Sequence, residues 1–84
     1  MNYEIQHDMN KNRFFVIIDG FEAYIQYSRI DDDKIDAFKT YVPEELRGRS
    51  IAADLTENLL AFAEKEDLTI VPSCSYIRKY MSQG

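Results

Sequence analysis

The period of the hydrophobic pattern changes along this chain. Tyr3 and Ile5 alternate with polar residues and 7–12 is polar and turn-like, which predicts a short first strand followed by a turn. Arg13–Ile18 is rich in aromatic and β-branched residues, which suit a pleated surface and predict a second strand. Asp19-Gly20 follows, a pair favoured in two-residue hairpin turns because both central positions need positive φ. In the next run Phe21, Ala23, Ile25 and Tyr27 share one face while Glu22, Tyr24, Gln26 and Ser28 share the other, as in a half-buried strand. Asp31-Asp32-Asp33 is a polar turn. Residues 35–42 then alternate loosely, Phe38, Thr40 and Val42 on one side and Ala37, Lys39 and Tyr41 on the other, predicting a fourth strand that ends at Pro43.

From 50 to 67 the spacing becomes helical: Ile51, Leu55, Leu59, Phe62 and Ala63 form one apolar stripe. Ser50 precedes it as a suitable N-cap. Residues 68–71 are a short β-type run stopped by Pro72, and 75–81 predicts a short helix with Ile77, Tyr80 and Met81 turned inward. The expected fold is α+β (mixed α/β): a single domain, 1–84, whose mainly antiparallel sheet of about five strands carries one long helix and one short C-terminal helix. The helix between strands four and five allows those two to run parallel.

At 84 residues there is room for one core. A hydrophobic share of 45% with 30% charged is ordinary for a soluble domain, and no apolar run reaches the roughly 20 residues of a membrane span. The first residues are unlike a signal peptide, so a cytoplasmic location is expected, with the chain a monomer or weak dimer. A net charge of −5 argues against nucleic acid and anionic membranes as partners. Asp31-Asp32-Asp33 lacks the glycine and distal glutamate of a calcium loop and reads as a solvated turn, so no metal is expected. His7, in a polar segment, reads as a surface residue.

Two segments carry candidate chemistry. Arg47-Gly48-Arg49-Ser50-Ile51-Ala52 follows a strand and opens a helix, where unpaired amides and the helix dipole favour an anion; it also fits an ordinary loop with solvated arginines. Cys74, the only cysteine, follows the last strand beside Ser73, Ser75 and a helix start. It reads either as a small buried hydrophobe or as an accessible thiol of lowered pKa.

The loop resembles the coenzyme A signature of the GNAT superfamily, Gln/Arg-x-x-Gly-x-Gly/Ala, with Arg47 first, Ile51 fifth and Ala52 sixth; Ser50 stands where the fourth position is glycine. A side chain there is tolerated as a small cap, donates a hydroxyl hydrogen bond, or weakens phosphate binding. From Arg13 to Tyr80 the chain is similar to small single-domain members sometimes called YjdJ-like, through Thr40-Tyr41-Val42-Pro43-Glu44-Glu45-Leu46-Arg47-Gly48, then Val71-Pro72-Ser73-Cys74-Ser75-Tyr76 and Tyr80. Lys39 stands where those relatives often carry histidine. The resemblance implies a minimal GNAT-like fold and acetyl-CoA as co-substrate of an N-acetyltransferase with an unidentified amine acceptor; so short a chain leaves little to build an acceptor pocket, and a shallow site suits a protein or peptide amine. It implies that residues 47–52 hold the pyrophosphate and that Tyr41 and Val42 lie along the pantetheine arm, in a gap between strands four and five that Pro43 helps open. Cys74 either takes the acyl group or lines the path of direct transfer, while Tyr76 or Tyr80 supplies a proton. A non-catalytic acyl-CoA binding or protein-interaction module is the alternative.

Overall fold

The computed structural model describes residues 3–83. Five strands, β1 (Gln6–Asp8), β2 (Arg13–Ile18), β3 (Phe21–Asp31), β4 (Lys34–Tyr41) and β5 (Thr69–Val71), form one sheet in the order of the sequence. The first four are antiparallel, and β5 runs parallel to β4 after the crossover helix α1 (Ile51–Lys65); α2 (Ser75–Ser82) follows. This is the expected α+β arrangement, and both β2 and the Asp19-Gly20 turn fall where the pattern puts them. Asp19 and Gly20 have φ of 54° and 83°, the doubly left-handed backbone that makes a two-residue turn match the twist of its strands.

Both helices pack on one face of the sheet. Ile51, Leu55 and Leu59 of α1 and Ile77 of α2 are fully buried against Val16, Ala23, Ile25, Ile35 and Ala37. The opposite face, where Phe15, Tyr24 and Tyr41 stand in register, is left uncovered, and Ile17 there is 58% exposed.

Several local expectations are corrected. The first strand is Gln6–Asp8, not the stretch around Tyr3 and Ile5: those residues leave the sheet, and the Tyr3 hydroxyl donates to Asp54 on α1. His7 is half-buried rather than a fully surface residue. Its ring stacks on Phe14 at 4.0 Å, meets Phe62 edge-on and shares a 2.6 Å hydrogen bond with the Tyr27 hydroxyl. Burial holds its pKa below the ordinary 6.5, against a smaller opposing pull from Asp8.

On β4 the expected faces are half right. Gln26 pairs with Lys39 but Tyr27 with Ala37, so Phe38 is an extra residue, a β-bulge, and the strand changes its facing there. Ile35 and Ala37 point to the core before the bulge, and Thr40, opposite Ile25, does so after it; Phe38 itself is 46% exposed. Met81 also departs from expectation: it is 39% exposed, because Ile77 alone fills the inner face of so short a helix.

Candidate functional site

The segment between β4 and α1 is a left-handed interruption anchored by one apolar residue. Pro43 is extended, and Glu44–Leu46 makes a single 3-10 turn whose Leu46 is fully buried, which plants the loop on the core. Beyond it Gly48 has φ 82° and Ser50 φ 61°. Glycine takes such a backbone without steric penalty, whereas serine pays about 1–2 kcal/mol for the left-handed region. Ser50 occupies the N-cap position, but its hydroxyl makes no capping bond: that bond needs an extended N-cap residue, and this one is left-handed.

The strain has a chemical counterpart. A left-handed residue followed at once by a right-handed helical one turns successive N–H groups toward a common point, an anion-binding concavity. The first intrahelical bond is from Asp54 N to Ser50 O at 3.1 Å, so the amides of Ile51, Ala52 and Ala53 precede the helical ladder. Arg47 Nε donates to the Val42 carbonyl at 3.1 Å, which holds the arginine along the rim. Arg49 reaches Asp19 in the β2–β3 turn at 4.0 Å, tying that hairpin to the loop.

Val42, Arg47, Gly48, Ser50, Ile51, Ala52 and Tyr76 together line one shallow cavity of about 300 Å³, joined by Leu46 and Ala53. Larger hollows lie elsewhere among the described residues: one of about 490 Å³ between residues 3–5 and α1, one of about 470 Å³ along the edge of β2 and one of about 390 Å³ at the turn after β1. Size alone would place the site there. We assign it to the smaller cavity because only that one combines a helix opening, left-handed backbone and an arginine.

The gap between β4 and β5 exists, but it starts at the turn after Val71, well before the chain reaches the level of Pro43. Pairing runs through Asp36 with Val71; Thr69 N donates to Asp33 O, so Ser73 N would be a later donor of the same ladder, but it turns back onto Val71 O at 3.1 Å and Cys74 N donates to Ala37 O at 2.9 Å instead. Beyond that bond β4 runs on without β5. The Cys74 Sγ lies inside this opening, half-buried, 3.4 Å from Thr40 Oγ1. Burial pushes the thiol pKa up, but the Thr40 hydroxyl and the amides of Ile77 and Tyr76 at the start of α2 outweigh it and hold the pKa below the ordinary thiol value.

The remaining expected site residues are more scattered. Tyr41 projects onto the uncovered face, 44% exposed and tilted against Tyr24 at 5.6 Å, so only its backbone borders the opening. Tyr76 and Tyr80 share a helix face with rings 6.1 Å apart, but the Tyr80 hydroxyl donates to Glu57 at 2.7 Å on the flank of α1. That bond raises the Tyr80 pKa, while burial raises that of Tyr76. Lys39 stands on the uncovered face near the Tyr24 ring, away from Cys74. Sequence reasoning had no role for Thr40, Leu46 or Ala53. Among the described residues no group of three or more His, Cys, Asp or Glu side chains gathers to hold a metal ion.

A parallel β4–α1–β5 unit that opens at its C-terminal end, with an arginine-glycine loop leading into the helix, defines a GNAT-type fold. The chain belongs to the GCN5-related N-acetyltransferase family, whose model matches residues 13–84. It is similar to protein NATD1 of Xenopus tropicalis, at 32% identity over 95% of this chain and 75% of that protein. Human NATD1 is 33% identical over 95% of this chain and 73% of its own length. Among solved structures, a GCN5-like protein of Staphylococcus aureus superposes with a TM-score of 0.76 at 27% identity, covering 95% of this chain and 78% of that one. Ard1 of Thermoplasma volcanium shares the fold, at a TM-score of 0.68 and 14% identity over 90% of this chain and 56% of that one.

Proposed function

We propose that this protein is an N-acetyltransferase that takes its acetyl group from acetyl-CoA and delivers it to an amine. The observation that carries the reading is the coincidence of an anion-binding loop at Gly48 and Ser50 with a thiol of lowered pKa in the opening between β4 and β5. The residues present fit the ligand. The amides of 51–53 and the Arg47 guanidinium suit a pyrophosphate, and the backbone at Tyr41 and Val42, past the last β5 pair and with the Val42 carbonyl taken by Arg47 Nε, suits the amides of a pantetheine arm.

Cys74 as thiolate attacks the thioester carbonyl. A sulfur–carbon bond forms to Cys74, the bond to the coenzyme A sulfur breaks, and the leaving thiolate takes a proton. The amine then attacks the acyl-cysteine, and its surplus proton returns Cys74 to the thiol. Tyr76 is the favoured donor to the leaving thiolate, since it lines the loop cavity and stays neutral near pH 7, whereas the Tyr80 hydroxyl is engaged by Glu57. The shallow cavity leaves the acceptor side open, as a protein or peptide amine needs. A sole cysteine kept as a thiol fits work in the cytoplasm.

A second reading, binding of acyl-CoA without transfer, is favoured by one fact. The strongest interactions acting on the Cys74 thiol come from a hydroxyl and backbone amides, with no imidazole or carboxylate among them. Intact-mass spectrometry with acetyl-CoA, beside a Cys74→Ala control and a thermal shift on both, separates the two. An acetyl adduct that needs Cys74, with raised stability, supports the acyl-cysteine enzyme. Raised stability with no adduct and no acetylated amine supports the binding module, and neither signal sinks the coenzyme A reading.

A further inference from the structure

Cys74 and Thr40 lie 34 positions apart in sequence and meet through two backbone irregularities. Had β4 alternated without interruption from Ile35 and Ala37, Lys39 would face the helices and Thr40 the uncovered side. The extra residue Phe38 reverses this: Thr40 lies opposite Ile25 on the covered face, and Lys39 opposite Gln26 on the other. On the facing strand, Ser73 N turns back onto Val71 O and leaves the ladder, and the 2.9 Å bond from Cys74 N to Ala37 O pins the cysteine backbone beside the bulge. The side chains are thereby brought to 3.4 Å.

We propose that Thr40 is a positioning residue for the Cys74 sulfur, and that the bulge at Phe38 is the device that turns its hydroxyl into the β4–β5 opening. The proposal rests on the reading of Cys74 as the acyl-accepting nucleophile. A thiol and a hydroxyl can reverse their hydrogen bond: S–H donates to Oγ1 while the thiol is protonated, and the Thr40 O–H donates to sulfur once the proton has left. The bond to the charged sulfur is the stronger of the two, so the hydroxyl favours the nucleophilic form and fixes its direction. Among the groups that favour the thiolate, Thr40 contributes most, ahead of the α2 amides. The charged and titratable neighbours act elsewhere. Lys39 is on the other face of β4, Arg78 of α2 donates to the Ser73 carbonyl, and Tyr76 is held neutral by burial.

The test is the pH dependence of Cys74 alkylation by iodoacetamide, followed by intact mass on the full chain without acetyl-CoA. Wild type is compared with Thr40→Val, Thr40→Ala and Thr40→Ser. We expect Thr40→Val and Thr40→Ala to move the midpoint of the profile to higher pH and to slow alkylation at pH 7 by about two- to tenfold, while Thr40→Ser follows wild type. Should valine disturb folding, the alanine and serine profiles decide alone. Profiles that superimpose on wild type overturn the proposal, and so does a Thr40→Ser profile displaced as far as that of Thr40→Ala, which would make the methyl packing the cause. If the tuned wild-type thiol accepts no acetyl group from acetyl-CoA, the acyl-cysteine reading fails while the Thr40 result stands, so the two fail separately.

Discussion

The two sides of this sheet are built by opposite rules. Between β2 and β3 the backbone pairing runs the whole length of β2, and beside it His7, Phe14, Tyr27 and Phe62 close into one aromatic cluster. From β4 to β5 pairing stops after three residue pairs, and the space beyond is bordered by backbone, a thiol and a hydroxyl. The same fold thus uses pairing for cohesion on one side and its interruption for chemistry on the other. A ligand amide can bind only where a strand has given up its neighbour.

The contrast breaks most severely if the sealed side is hollowed. Leu59→Ala, at a fully buried position on α1, should cost about 2–5 kcal/mol in denaturant unfolding, whereas Ile17→Ala on the uncovered face should stay within about 0.5 kcal/mol. Next comes the pair of tyrosines. In a steady-state acetyl-transfer assay Tyr76→Phe should lower the rate about tenfold or more, and Tyr80→Phe, whose hydroxyl serves Glu57, by less than about threefold. A larger loss from Tyr80→Phe than from Tyr76→Phe would reverse the assignment of the proton donor.

A smaller effect is expected at the loop. Ser50→Gly relieves a left-handed serine at φ 61° and should stabilise the protein by about 0.5–1 kcal/mol, the gain being trimmed by the freer unfolded chain. If the loop holds pyrophosphate, the same variant should also bind acetyl-CoA more tightly in a thermal-shift titration. The smallest effect belongs to His7. The unfolded chain takes up a proton near pH 6.5 while the half-buried ring resists until lower pH, so stability is full above 6.5 and declines as pH falls below it toward the folded value. His7→Phe should flatten that slope in urea midpoints measured between pH 7 and 5; an unchanged slope would show that the acid sensitivity lies elsewhere.

What the sequence discloses and what it hides divide along the range of the interactions involved. The hairpin at Asp19-Gly20, the apolar stripe of α1 and the arginine-glycine loop are written in adjacent residues, and each stands where local pattern puts it. The bulge at Phe38 depends on how β4 meets β3, and no spacing within 34–41 marks it. His7 looks polar in its own segment because Phe14, Tyr27 and Phe62, which bury it, come from three other elements. Ser50 reads as a capping serine until its φ is known, and Thr40 acquires a role only from a partner far down the chain.

A sheet whose spatial order equals its sequence order also has a schedule. Strands β1 to β4 are joined by short turns and can be laid down as they emerge, each closing on the one before it at small entropic cost. β5 cannot take its place until the whole of α1 has been formed and docked, because the crossover must return to the open flank of Lys34, Ile35 and Asp36. Until then that flank is an unprotected strand edge, the part of a nascent chain that another molecule can pair with. The opening that holds Cys74 therefore lies in a part of the sheet that only the crossover through α1 can complete.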